Sequence, residues 1–324
     1  MQIDPRTIKN ILAVRNDRFG EFLLNIPALR ALKQTFPYAK IITVVNPYVK
    51  ELAECIPFID EIIEWEKQKS TLSEKLSLIG ALKKRNLDMA IMLNPSKEFN
   101  IFTYLAGIPI RVGYARKWGF LLTHKMEDKK YLGQKHEIEY NLELVRLIGA
   151  NTDDLTLSLK INDDINTGLG AGFDKGNLIA IHPWTSDPIK QWPQRYFHQL
   201  AKRITLELDI KVVIIGGKPE LAKRVEFSTD IAGSLINMTG KTTLKQLAAL
   251  LKKCKLLISG DSGPVHLASC VGTPVIAIFR SDMPEKSSVR WGPHSEGSAI
   301  IEKSNLSNIM VDEVVAKARE VLAK

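Results

Sequence analysis

The stretch that most limits what this chain can fold into is Lys255–Phe279, KLLISGDSGPVHLASCVGTPVIAIF. Two apolar runs rich in β-branched residues, Leu256–Ser259 and Val275–Phe279, have the composition of strands buried on both faces, as in a parallel sheet. Between them Val265, Leu267, Ala268 and Val271 fit a short helix entered through a Gly- and Pro-containing turn. Ser262 stands at the expected N-cap, and Pro264 near the helix start, where its missing N–H costs little. The turn of such a βαβ unit offers free backbone N–H groups and the positive end of a helix at the carboxyl edge of a sheet. That arrangement suits a phosphate or diphosphate. A purely structural βαβ turn can carry the same glycines, so the pattern alone leaves both readings open. His266 falls in the first helical turn, where it could face the same anion.

The rest of the chain alternates in the same manner. Ile11–Val14 reads as a central strand, followed by RNDRFG and then by one helix over Glu21–Phe36, with Leu24, Ala28, Leu32 and Phe36 at helical spacing. Strands are expected at Ile41–Val45, Ile59–Glu64 and Met89–Leu93, and helical segments at Tyr48–Cys55, Leu72–Lys84, Phe99–Leu105 and Glu139–Ile148. From Gly149 to Asn177 the pattern weakens, which places a transition between two domains of residues 1–165 and 166–324. The second begins with a strand at Asn177–Ile181 and HPWTSDPIKQWP. A helix over Tyr196–Leu208, a strand at Lys211–Ile215, a helical segment from near Glu220 and a short strand at Leu235–Asn237 follow. Thr242 or Thr243 caps the helix that leads into the organising stretch.

Composition narrows the function classes. The chain has 324 residues, 45% of them hydrophobic, with a formal charge of +9. That is enough for substantial cores and favours an anionic partner. No basic run is dense enough to point to nucleic acid, and no zinc-finger spacing occurs. Cys55, Cys254 and Cys270 lack metal spacing and suit a reducing cytoplasm, with Cys254 and Cys270 read as packed small residues. The N-terminal MQIDPRTIKNILAVRND lacks a signal-peptide apolar core, and no run is long enough to span a bilayer. GKTT near Gly240 resembles the end of a P-loop, but LINMTG before Lys241 lacks the first glycine and the Gly-rich cradle. No early GxGxxG marks a nicotinamide enzyme.

Two further stretches carry candidate chemistry. In Arg15–Glu21, Gly20 permits a tight turn and Glu21 sits where exposed N–H groups favour a carboxylate. It reads either as a capping carboxylate or as a general base at the strand edge. Arg15, Asp17 and Arg18 can be ordinary ion pairs or site residues. In GIPIRVGYARKWGFLLTHK, Arg111, Tyr114, Arg116 and Lys117 could line a site for a phosphorylated or carboxylated sugar, or belong to a solvated basic loop.

Taken together, NDRFGEFLLNIPALRALKQTFP, RVGYARKWGFLLTH, HPWTSDPIKQWP and SGDSGPVHLASCVGTPVIAIF resemble the bacterial heptosyltransferases of lipopolysaccharide core synthesis, in glycosyltransferase family nine. The resemblance runs over nearly all of the chain. It implies an α/β GT-B fold of two Rossmann-like domains facing across a cleft. The first would bind a lipid-linked anionic inner-core acceptor, and the second ADP-heptose. It also implies inverting, metal-independent transfer with no cofactor, and a cytoplasmic enzyme in transient contact with the inner face of the inner membrane.

The resemblance assigns Glu21, where relatives usually carry aspartate, as base, and Lys190 to the donor phosphate. Thr185 or Ser186 matches the donor hydroxyl region, and Glu220 the acidic residue that binds ribose. Asp261, Ser262, Gly263 and His266 lie on the DSGPVH donor motif, while Arg18, Arg111, Tyr114, Arg116 and Lys117 fall to the acceptor. The usual FGPT continuation after the last strand is replaced here by FRSDMP. That departure leaves two other readings: a transferase for another nucleotide sugar, or a noncatalytic nucleotide-sugar or glycolipid binder.

Overall fold

The computed structural model describes residues 3–66, 70–168, 177–222 and 234–324. The chain divides into two units, Met1–Thr156 and Leu157–Lys324, where the sequence reading drew the boundary after residue 165. In the first, β1 (Asn10–Val14), β2 (Lys40–Val45), β3 (Glu61–Glu64), β4 (Met89–Met92), β5 (Ile110–Tyr114) and β6 (His124–Met126) form one sheet in the order β3-β2-β1-β4-β5-β6. Every pairing is parallel. The helices are α1 (Phe19–Leu23), α2 (Ile26–Thr35), α3 (Lys50–Ala53), α4 (Leu72–Lys84), α5 (Lys97–Leu105) and α6 (Glu137–Arg146).

The second unit repeats the plan. Strands β7 (Leu178–His182), β8 (Lys211–Ile214), β9 (Leu235–Asn237), β10 (Leu256–Gly260), β11 (Val275–Arg280) and β12 (Ala299–Lys303) lie in the order β12-β11-β10-β7-β8-β9. They too are parallel throughout. Its helices are α7 (Gln194–Leu208), α8 (Leu244–Lys252), α9 (Gly263–Cys270), α10 (Ser288–Trp291) and α11 (Val311–Leu322). Counted from the first strand of each unit, both sheets have the Rossmann order, with the topological switch beside β1 in one and beside β7 in the other.

Burial explains why these runs become strands. Ile11, Leu12, Ala13 and Val14 are all fully buried, so both faces of β1 are covered. On one face Leu12, Val14, Ile42, Val44, Ala90 and Met92 pack on Leu78 and Leu82 of α4 and Phe99 and Phe102 of α5. In the second unit Ile179, Ile181, Ile258, Ile276 and Ile278 meet Trp192, then Phe197, Leu200 and Ile204 of α7 and Val314 and Ala318 of α11. Thr71–Glu74 and Thr243–Gln246 form capping boxes that start α4 and α8. Cys254 and Cys270 are buried in these walls, and burial pushes both thiols up, away from the reactive thiolate.

Two expectations change. The single helix over Glu21–Phe36 is broken at Leu24–Asn25, with Pro27 in the first turn of α2. Proline lacks the N–H that would continue the ladder, and Asn25 Nδ2 instead donates to the Glu21 and Phe22 carbonyls at 2.7 and 3.1 Å. Arg111 and Tyr114, read as lining an acceptor site or as part of a solvated basic loop, belong to a strand, β5, and not to a loop. The helical segment expected from near Glu220 falls mostly on residues 223–233, outside the described set; the described Lys218–Ala222 forms a 3-10 turn.

Candidate functional site

In an open parallel sheet, ligands bind beyond the carboxyl ends of the strands at the switch point. Each unit has such an edge. In the first, the segment after β1 meets the one after β4. Arg15 Nη1 donates to the Leu93 carbonyl at 3.1 Å, and Asn94 Nδ2 to Asp17 Oδ2 at 3.3 Å. Glu21 lies in the first turn of α1, entered from Arg18 at the N-cap position. Tyr48, from the segment after β2, accepts a bond from the Phe19 N–H at 3.1 Å, and its hydroxyl senses the charges of Glu21 and Asp17. Burial and the neighbouring Asp17 hold the Glu21 carboxyl above the ordinary range, against the pull of Arg15 and Arg18.

Beneath this carboxylate runs a buried ionic network absent from the sequence reading. Arg15, 3% exposed, pairs with Asp17 at 2.8 Å and with Glu137 at 3.4 Å. Glu137, at 1% exposure, also receives Lys130 at 2.5 Å. Lys130 reaches Asn141 Oδ1 at 3.4 Å, and Asn141 Nδ2 donates to the Leu24 carbonyl at 3.1 Å. Burial opposes the charge on Arg15, but Asp17, Glu137 and Glu21 outweigh it and keep the guanidinium protonated. The network thus ties both ends of the Glu21 helix to α6 and the buried cations.

Not all acceptor candidates gather here. The Arg111 guanidinium is spent on the Leu121 carbonyl at 2.8 Å and on the Ile108 carbonyl, near the start of β5 and away from its carboxyl edge. Tyr114 is buried, and its hydroxyl donates to the Tyr140 carbonyl at 3.2 Å. Arg116 and Lys117, just past β5, do lie on the carboxyl-edge side. Arg116 pairs with Asp128 at 2.7 Å, and Lys117 Nζ donates to the Pro95 carbonyl at 3.1 Å. Lys117 and Trp118 both hold left-handed backbone (φ 49° and 68°), a conformation that non-glycine residues rarely share in succession. Asn100 Nδ2 fixes the bend by donating to the Lys117 carbonyl at 2.9 Å.

In the second unit the segments after β7 and β10 meet. Lys190 Nζ donates to Asp261 Oδ2 at 2.7 Å, both side chains being largely buried. Burial raises the Asp261 carboxyl, while Lys190 draws it back. Ser262 occupies the N-cap position of α9 but does not cap it. Its Oγ instead lies 2.8 Å from Ser259 Oγ and 3.1 Å from His182 Nδ1. Gly263 and His266 belong to α9, with the His266 ring 6.2 Å from that of Trp291. Thr185 is buried and its Oγ1 donates to the Asp187 carbonyl at 2.8 Å, whereas Ser186 is exposed. A methyl group at Gly216 would stand 2.6 Å from the Trp184 ring, so glycine there lets the indole close over the end of β8. Glu220 sits in the turn just beyond.

The described residues hold no group of three His, Cys, Asp or Glu side chains that could bind a metal. Among them no helix is long and apolar enough to cross a membrane.

Comparison with known proteins gives this arrangement a setting. Residues 75–311 match the family model described as glycosyltransferase family 9 (heptosyltransferase). A putative glycosyltransferase of Haemophilus influenzae is 26% identical, over 96% of each chain. Lipopolysaccharide heptosyltransferase 2 of Escherichia coli K12 is 24% identical over 85% of this chain and 84% of that protein. Among solved structures, the glycosyl transferase family 9 protein of Veillonella parvula superposes with a TM-score of 0.83 at 22% identity, covering 99% of both chains. The E. coli ADP-heptose lipopolysaccharide heptosyltransferase II superposes at 0.81 and 22% identity, covering 97% and 98%. The two sheets are the two Rossmann-like domains of the GT-B fold.

Proposed function

The chain belongs to glycosyltransferase family 9, and from that premise we propose that it transfers heptose from ADP-heptose to the inner core of lipopolysaccharide, with inversion. One observation carries the reading. Two sheets of identical order present opposite chemistry at their carboxyl edges: a carboxylate of raised proton affinity in the first unit, a lysine beside a helix N-terminus in the second.

In this mechanism the acceptor hydroxyl oxygen attacks C1 of the donor sugar while the C1–O bond to the diphosphate breaks. The proton passes to Glu21, and the electron pair leaves on ADP. A base works best when its proton affinity lies near the operating pH, and the surroundings of Glu21 move it in that direction. Charge gathering on the leaving phosphate is met by Lys190 and the N–H groups at the start of α9, so protein groups rather than a resident metal fill that role. Asp261 orients Lys190, and Ser262 and His266 complete the wall. Glu220 takes the ribose hydroxyls, with Thr185 and Ser186 shaping the donor turn. Arg18, Arg116 and Lys117 meet the anionic acceptor. Arg111 and Tyr114 support that side from below.

A lipid-linked acceptor also needs a route to the bilayer. Trp118 and Phe120 are 46% and 70% exposed with ring centroids 5.7 Å apart, and Lys97 Nζ lies 4.4 Å from the centre of the Trp118 ring. Lys97–Lys135 carries eight Lys and Arg against three Asp and Glu. Aromatic rings beside cations suit the headgroup layer of an anionic membrane, which supports a cytoplasmic, peripherally docking enzyme.

The test is mass-resolved product analysis after incubation with defined inner-core acceptors and either ADP-heptose or other nucleotide sugars. Heptose addition from ADP-heptose is the expected result. Transfer only from another donor, or donor binding without product on an acceptor known to be competent, would overturn the reading.

A further inference from the structure

Two side chains of the segment after β11 reach the turn that follows β7 in the second unit. Arg280 Nη1 reaches the Ile189 carbonyl at 3.4 Å, while its guanidinium is held by Asp282 at 2.5 Å. Lys286, in the short 3-10 turn Pro284–Lys286, donates to Asp187 Oδ2 at 2.7 Å. Asp187 accepts the Ile189 N–H at 3.2 Å through its other oxygen and so caps the turn that carries Lys190. Lys190 in turn holds Asp261. Two lysines and two aspartates therefore stand together around one four-residue turn, and the charge of Lys286 is felt at Asp261 as well as at Asp187.

We propose that Lys286 is a second cation for the diphosphate of the donor nucleotide, and that Asp187 holds it in place until the phosphates arrive. This rests on the assignment of the second unit to the donor. The Lys286 and Asp187 side chains are 29% and 34% exposed, so their ion pair is weakly held and open to exchange. An ammonium carries three N–H donors, and Asp187 takes one of them, which leaves donors for phosphate oxygens. When the C1–O bond breaks, the additional charge on the leaving phosphate is shared between Lys190 and Lys286. The FRSDMPEK sequence thus brings a second cation to the turn that carries Lys190.

The test is calorimetric titration of ADP and, separately, adenosine into the intact wild-type protein and the Lys286→Met, Lys286→Arg and Asp187→Asn variants at low salt. A lost charge-assisted contact of this kind lowers ADP affinity roughly tenfold. Lys286→Met should show that loss with adenosine binding unchanged. Lys286→Arg should recover most of it, and Asp187→Asn should bind ADP at least as tightly as wild type. Unchanged ADP affinity in Lys286→Met, with wild type binding normally, would overturn the assignment alone. Equal losses for ADP and adenosine would do the same, because they would mark a disturbed fold. Weaker ADP binding by Asp187→Asn would overturn the holding role of that carboxylate. A wild-type protein that binds no ADP would remove the donor reading and this assignment together.

Discussion

The two sheet edges share a strand order and a switch point, yet the loops around them carry different charged groups. In the first unit the cations Arg15 and Lys130 are buried with Glu137, while the carboxylates Asp17 and Glu21 are only partly buried. In the second the lysines Lys190 and Lys286 each bind an aspartate beside the segment after β7. Topology therefore places a site, and in the proposed function the residues of the loops after β1, β7, β10 and β11 decide whether it accepts a proton or an anion.

The largest expected effect comes from removing the buried centre of the first edge. Glu137→Ala leaves Arg15 and Lys130 without their shared carboxylate, and such a loss costs about 3–5 kcal/mol. Chemical denaturation should show it, and a change within about 0.5 kcal/mol would mean that the network does not hold the Glu21 helix. Next is Lys190→Met, which should lower turnover by about 100- to 1,000-fold if the contact strengthens as the diphosphate leaves. Steady-state kinetics would check this. A rise in KM with unchanged kcat would instead make Lys190 a ground-state binder.

A third test turns on sign. Folded Glu21 binds its proton more tightly than the free side chain, for which a pKa near ~4.3 is usual. Turnover should therefore fall with decreasing pH at a value above that one. The same shift makes the group's contribution to stability fullest below the unfolded value and lost as pH rises through the folded one. Glu21→Gln should accordingly melt above wild type at neutral pH and close to it near pH 4. Equal melting at both pH values would contradict the burial ascribed to this carboxylate. The smallest effect is expected of the Trp118→Ala/Phe120→Ala pair. It should weaken sedimentation with anionic vesicles and slow transfer to membrane-embedded acceptor by a few-fold, roughly the loss of one or two interfacial rings. Transfer to a soluble, delipidated acceptor should stay unchanged; an equal loss there would make the rings part of the sugar site.

The strands were the most legible part of the sequence, because buried parallel strands are continuous apolar runs and leave little ambiguity. Leu256–Gly260 and Val275–Arg280 fall almost where composition placed them. Local placement was legible where a single loop held it, as in RNDRFGE, whose Glu21 lies in the first turn of α1. Contacts between distant loops were not. Nothing near Glu137 announces that it meets Arg15 more than a hundred positions earlier, and His182 shows no local sign of joining Ser262. Ser262 also illustrates a limit of capping rules. Its position is the N-cap, but two better-placed partners capture its hydroxyl. Proline at 27 was visible, yet the break it makes depends on Asn25 folding back onto α1.

The division of labour between the two edges is tested most directly by measuring heptose transfer and ADP affinity side by side in Glu21→Gln. The account expects turnover to fall by about 100- to 10,000-fold, the range of a lost general base, with ADP bound as in wild type. Near-normal transfer, or a matching loss of ADP binding, would contradict it.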